Sequence, residues 1–143
     1  MTYTIAQVAA RMGLTTYTLR YYDKEGLLPF VDRTKSGTRI FKESDFEWLS
    51  LIICLKHSGM AIKDIKIFIN WCLEGDSTLE KRLNMFNEHK KMVAEKMLEL
   101  KKHMNKLDDK IQYYQIAVEA GTESIHGKCA CIQSRIQQKF FQG

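Results

Sequence analysis

The chain has 143 residues, enough for one or two small domains, and its 45% hydrophobic content excludes a disordered polymer. A net charge of +5 permits a nucleic-acid partner without requiring one. There is no apolar run of about eighteen residues that would span a membrane, and no basic-then-apolar secretory signal at the N-terminus. The four cysteines (Cys54, Cys72, Cys129, Cys131) are therefore expected as reduced thiols in a cytoplasmic protein.

One proline and eight glycines leave room for long helices. Thr4-x-x-Gln7, Ser44-x-x-Glu47 and Ser77-x-x-Glu80 have the form of capping boxes, and each opens a segment with helical apolar spacing. A first helix is predicted from Ile5 to Met12, with a turn at Gly13. A second runs from Thr16 to Lys24 and stops near Gly26. Residues Phe30 to Phe41 read as extended, with a turn at Ser36-Gly37. A third helix follows Ser44 and ends at Gly59, and a fourth runs from Ile62 to Leu73 and ends at Gly75.

Beyond residue 75 the period changes. Leu79, Leu83, Phe86, Val93, Met97, Leu100, Met104, Leu107, Ile111, Tyr114 and Val118 fall at alternating gaps of four and three, with Lys90 in the one vacancy. That is the a/d pattern of a coiled coil, on a helix roughly 60 Å long. A seam this narrow on so long a helix has too little of its own chain to cover it, which predicts a second copy as partner. The expected organisation is a DNA-binding head over 1–75, a dimerisation helix over 76–120 and a tail over 121–143. The fold class is mostly α: a winged helix-turn-helix with a short β-hairpin wing, then a coiled-coil helix.

The first two helices carry the helix-turn-helix signal. Counting from Ile5, the turn glycine is ninth (Gly13) and the small residue at the helix crossing is fifth (Ala9). Val8, Met12, Leu14, Leu19 and Tyr22 fill the core positions. Thr15, Thr16, Tyr17, Arg20 and Tyr21 face outward, with hydroxyls and a guanidinium suited to base edges and phosphates. Tyr22 is assigned twice, to the core by spacing and to the DNA-contacting set with its neighbours. Arg33, Lys35 and Arg39 in the hairpin are expected to grip the phosphate backbone, giving affinity more than sequence choice.

These residues also carry a resemblance. Tyr3-Thr4-Ile5-Ala6-Gln7-Val8-Ala9, Thr18-Leu19-Arg20-Tyr21-Tyr22-Asp23 and Gly26-Leu27-Leu28-Pro29 closely resemble the N-terminal domain of the MerR family of bacterial regulators. Gly37-x-Arg39-x-Phe41 and Ser58-Gly59-Met60 extend the match, and Thr38 departs from it where an aromatic is common. The resemblance implies a homodimer with an antiparallel coiled coil on a near-palindromic operator between promoter elements. It implies activation by distorting the spacer DNA so that RNA polymerase holoenzyme engages both elements.

Cys54 is the most informative thiol. It lines up with Glu47, Ser50, His57 and Ser58, a polar stripe, whereas Trp48, Leu51, Ile52 and Leu55 share the apolar side. His57 is placed to support a thiolate, while the nearby helix C-terminus opposes an anion. Ile53-Cys54-Leu55-Lys56-x-x-Gly59-Met60 resembles the AdhR/NmlR-like branch of the family, which implies Cys54 as a sensor of aldehydes and other thiol-reactive electrophiles. A core cysteine and a metal ligand are the alternatives. A rival reading is metal sensing by Cys129-x-Cys131, with Cys72 or His126, since soft thiolates suit zinc or copper(I). A further alternative is a coiled-coil adaptor that binds no DNA. No glycine-rich phosphate loop, G-x-S-x-G or H-E-x-x-H motif points to an enzyme, and no cofactor is expected.

Overall fold

The structure is a computed structural model that describes residues 1–127, 136, 139 and 140. Its elements are β1 (Thr2–Tyr3), α1 (Ile5–Met12), α2 (Thr16–Lys24), β2 (Asp32–Arg33), β3 (Arg39–Lys42), α3 (Asp45–His57), α4 (Ile62–Glu74) and α5 (Leu79–Ala120). Short 3-10 turns at Asp76–Thr78 and Glu123–His126 bracket α5. Two compact units can be distinguished, Met1–Val93 and Ala94–Gly143. None of the described helices is long and apolar enough to cross a membrane.

Local chemistry explains where α1 and α2 begin and end. Thr4 forms the complete capping box with Gln7: its hydroxyl accepts from the Gln7 N–H, and the Gln7 side chain accepts from the Thr4 N–H. Gly13 closes α1 in the left-handed region at φ 67°, a conformation a Cβ would penalise. Thr15 caps α2 through the Thr18 N–H. Gly26, at φ 80°, ends α2 where an added Cβ would also press on the Lys66 side chain at 3.2 Å.

The other two predicted boxes do not form. Ser44 is already in helical conformation and makes no capping bond; the buried Asp45 carboxylate instead accepts the Lys42 N–H at 2.8 Å, joining β3 to α3. Ahead of α5, buried Thr78 donates toward the carbonyls of Trp71 and Gly75, tying this turn to the end of α4. Burial decides both cases, because a polar group withdrawn from water must find a partner.

The sheet has the order β1-β3-β2, all antiparallel, with Tyr3 opposite Phe41 and Arg33 opposite Arg39. β1 is an addition to the predicted hairpin: two residues are too short to show an alternating pattern, and they pair because β3 offers a free edge. Val8, Leu19, Leu27, Leu28, Phe41, Leu49, Ile52 and Ile65 are buried almost completely in one core that joins α1–α4 and β3. Each large aliphatic side chain so buried contributes about 1.5–3 kcal/mol of transfer free energy.

The first unit runs to Val93, beyond the expected boundary at residue 75. Met85 and Phe86 explain this, since both pack on the head's core and the Phe86 ring meets Phe68 edge-on at 5.1 Å. Phe86, expected in the dimerisation seam, is thus half-buried against the head within its own chain. Val93 is half-buried, whereas Leu79 and Leu83 are exposed.

In the second unit Met97, Leu100, Met104, Leu107, Ile111, Tyr114 and Val118 are all exposed. A run of large apolar side chains along one helix marks an interaction surface. At the end of α5, His126 stacks on Tyr113 at 3.8 Å and its Nε2 lies 2.7 Å from the Tyr113 carbonyl. The Tyr113 hydroxyl donates to Glu123, so the turn after α5 folds back on the helix.

Candidate DNA-binding face and sensor helix

Helix α2 presents a polar face. Tyr17 is 76% exposed and Tyr21 41%, and Arg20 lies between them, also exposed. Thr15 and Thr16 are engaged within the helix: Thr15 caps it, and Thr16 accepts from the Arg20 guanidinium at 3.3 Å. Tyr22 resolves its double assignment toward the core. Only 4% exposed, it belongs to the buried cluster, and burial pushes its phenol above its ordinary value. The tyrosine pair thus splits, Tyr21 outward and Tyr22 inward, as the 100° step of a helix requires.

The wing is tied to α2 by a residue that the sequence reading did not single out. Asp23 Oδ2 accepts from Arg33 Nη2 and from Arg39 Nε, both at 2.6 Å. Arg33 also donates to the Gly37 carbonyl across the wing turn. Arg39 and Asp23 are largely shielded, with side chains 21% and 17% exposed, whereas Arg33 is 48% exposed. The two wing arginines expected to grip phosphates are therefore also the clasp that fixes the wing beside α2. Lys35, at the tip, is exposed. In the sequence Asp23 shows as the last residue of the Thr18–Asp23 motif and as a carboxylate ahead of a basic hairpin, neither of which gives its partners.

A second ionic cluster braces the other side of the sheet. Arg11 contacts both carboxylate oxygens of Glu43, at 2.6 and 3.1 Å, and the Tyr3 hydroxyl donates to the same group. The Arg11 guanidinium lies 3.8 Å over the Phe46 ring. Hydrogen bonds from Arg11 and then Tyr3 hold the Glu43 carboxyl down at about 2.

Cys54 is exposed on α3, along with Glu47, Ser50 and His57, as the polar stripe predicts. Among the described residues no hydrogen bond joins His57 to Cys54. The polar contacts near this thiol instead involve its backbone carbonyl, which accepts both the N–H and the hydroxyl of Ser58. Ser58 in turn lies 2.7 Å from His89 Nε2 on α5. Ser58 lies on the stripe that the spacing defines, but its link to His89 is not readable there, because a contact across 31 positions leaves no periodic trace.

The residues of the metal reading are distributed differently. Cys72, half-buried, receives a weak contact from Arg82 Nη1 at 3.9 Å, in a small apolar cleft with Phe30 and Trp48. His126 is engaged with Tyr113. Cys129 and Cys131 lie outside the described residues.

Comparison with known proteins adds an independent line. Residues 3–70 match the family described as MerR HTH family regulatory protein. An HTH-type transcriptional regulator of Haemophilus influenzae is 47% identical over 122 residues, covering 85% of this chain and 90% of that protein. The HTH-type transcriptional regulator AdhR of Bacillus subtilis is 40% identical over 91 residues, 64% of this chain and 65% of its own length. Among solved structures, that of HiNmlR, a MerR family regulator lacking the sensor domain and bound to promoter DNA, superposes with a TM-score of 0.81 at 46% identity. It covers 87% of this chain and 99% of that one. A MerR family regulator from Bacillus thuringiensis gives a TM-score of 0.72 at 44% identity, covering 78% and 98%.

Proposed function

The chain belongs to the MerR family of helix-turn-helix transcriptional regulators, and from that membership we propose that it binds a near-palindromic promoter operator as a homodimer and responds to chemical modification of Cys54. The observation that carries the DNA reading is the outward face of α2, with Tyr17, Arg20 and Tyr21 free of the core beside a wing clasped by Asp23. A promoter-DNA complex of a 46% identical structure supports it. The exposed apolar stripe from Met97 to Val118 supports the dimer.

In this reading an inducing electrophile adds to the exposed Cys54 thiol. With an aldehyde, the sulfur bonds to the carbonyl carbon while the thiol proton passes to the carbonyl oxygen. With a peroxide, the thiol becomes a sulfenic acid and the peroxide is reduced to water. The modified dimer then favours a bent, untwisted spacer, so that modification energy is coupled to DNA shape and RNA polymerase holoenzyme reaches both promoter elements.

The test is promoter output in cells carrying single variants. Arg20→Ala is expected to weaken operator binding without unfolding the head, and unchanged affinity would remove α2 from the DNA face. Cys54→Ser, nearly isosteric, is expected to keep DNA affinity and lose the response to a sublethal aldehyde. The double replacement of Cys129 and Cys131 by serine is expected to keep that response. An intact aldehyde response in Cys54→Ser would overturn the sensor assignment, and a zinc or copper response lost only in the double variant would establish metal sensing instead.

A further inference from the structure

The end of α3 is joined to α5 through hydrogen bonds that begin on Cys54 itself. Ser58 Oγ lies 2.7 Å from the Cys54 carbonyl, 3.2 Å from the Leu55 carbonyl and 2.7 Å from His89 Nε2. A serine hydroxyl has one proton. Were that proton directed at His89, the hydroxyl oxygen would face the Cys54 carbonyl oxygen at 2.7 Å with nothing between two acceptors. The proton therefore lies toward the Cys54 carbonyl, and His89 donates from Nε2 to Ser58. One chain of donation runs from His89 to Ser58 to Cys54, from α5 to α3.

Two further facts give this chain a direction of action. Ser58 caps the C-terminus of α3 four residues after Cys54, a spacing that puts the two Cβ atoms about 5–6 Å apart. Ser58 is bound to the Cys54 carbonyl through both its N–H and its hydroxyl, so a shift of the backbone at Cys54 reaches Ser58 directly. Beyond Ser58, His89 borders an open groove of about 730 Å³ shared with Met60, Met85 and Met92. A ring released by Ser58 has space to turn into it.

We propose that Ser58 and His89 are the positioning residues that transmit the state of Cys54 to the dimerisation helix. Modification of Cys54 displaces the Ser58 hydroxyl, Ser58 releases His89, and α5 loses a fixed contact with the end of α3. The proposal rests on Cys54 being the sensor and adds the route by which its modification leaves the head. A packed joint has discrete arrangements, so loss of one directional contact shifts it between them.

The test uses the full-length protein and compares Ser58→Ala, His89→Phe and His89→Gln with the wild type and Cys54→Ser. Three quantities are measured: operator affinity of the unmodified protein, extent of Cys54 alkylation by N-ethylmaleimide by peptide mass, and promoter induction by a sublethal aldehyde. Ser58→Ala and His89→Phe are expected to bind the operator and be alkylated as the wild type is, yet lose induction. His89→Gln, which supplies an amide N–H in a similar place, is expected to regain it. In the wild type, the nitrogen-15 spectrum of the His89 imidazole should show a protonated Nε2 whose resonance shifts on alkylation of Cys54, a change that a purely structural role would not produce. Normal induction in Ser58→Ala and His89→Phe, with Cys54→Ser silent, would overturn the relay and leave the sensor standing. Normal induction in Cys54→Ser would overturn both. If either relay variant fails to fold, the wild-type imidazole spectrum decides alone, and an unmoved resonance refutes the relay.

Discussion

Replacing Asp23 by asparagine removes one charge from the junction between recognition helix and wing and barely changes its shape. Asp23 Oδ2 receives two charge-assisted bonds, each 2.6 Å long. A hydrogen bond to a charged group contributes about 1.5–3 kcal/mol when shielded, and an exposed ion pair only about 0.2–1 kcal/mol. The Arg39 contact, with both side chains about four-fifths covered, lies nearer the first figure, and the half-exposed Arg33 nearer the second. Asparagine keeps an amide oxygen that can accept from both donors, as Oδ2 does, so what is lost is the charge assistance, an expected net loss of about 1–2 kcal/mol. On DNA, two consequences oppose each other. Arginines released from Asp23 are freer to neutralise phosphates, so affinity for a scrambled duplex should rise and its salt dependence should steepen by about one phosphate. A loosened wing no longer holds its register beside α2, so the ratio of operator to scrambled affinity should fall. Urea denaturation at fixed protein concentration and fluorescence anisotropy across a salt series measure these quantities. An unchanged urea midpoint together with an unchanged affinity ratio would show that Asp23 does not position the wing.

Leu100 is 65% exposed in the middle of the apolar stripe of α5, so Leu100→Asp should place an unpaired charge in the proposed seam and yield monomers with no operator binding; a normal dimer by sedimentation would show that the stripe is covered by something else. The Glu43 carboxyl is held at about 2, below its ordinary value of 4.5, by Arg11 and Tyr3. A lowered carboxylate stabilises the fold above the unfolded value and ceases to do so as pH falls through the folded one. The wild type should therefore lose stability between pH 4.5 and about 2, and Glu43→Gln should be less stable than the wild type at neutral pH with a flatter profile across that window. Parallel profiles in urea titrations would assign the acid sensitivity elsewhere.

Features set by neighbours along the chain were legible in the sequence. The Thr4 capping box, the turn at Gly13, the bounds of α1 and α2 and the a/d stripe beyond Met97 all follow from spacings of three, four and seven residues, and the structure places them accordingly. The outward set on α2 follows from the same helical step, which also puts Tyr22 inside once its neighbour Tyr21 is outside. Features set by contacts across the chain were not legible. Ser44 and Ser77 have the right form for caps, yet Asp45 and Thr78 are the buried groups that must be satisfied, and burial is a property of the assembled core. Phe86 fits the seam by count, and its edge-on contact with Phe68 in the head cannot be read from that count. Asp23 as the clasp of the wing, and the Ser58–His89 link beneath Cys54, join residues 10 to 31 positions apart. Periodicity carries information only over a few turns of helix, so polar partners this distant emerge only when tertiary packing brings their elements together and removes the water that would otherwise satisfy them.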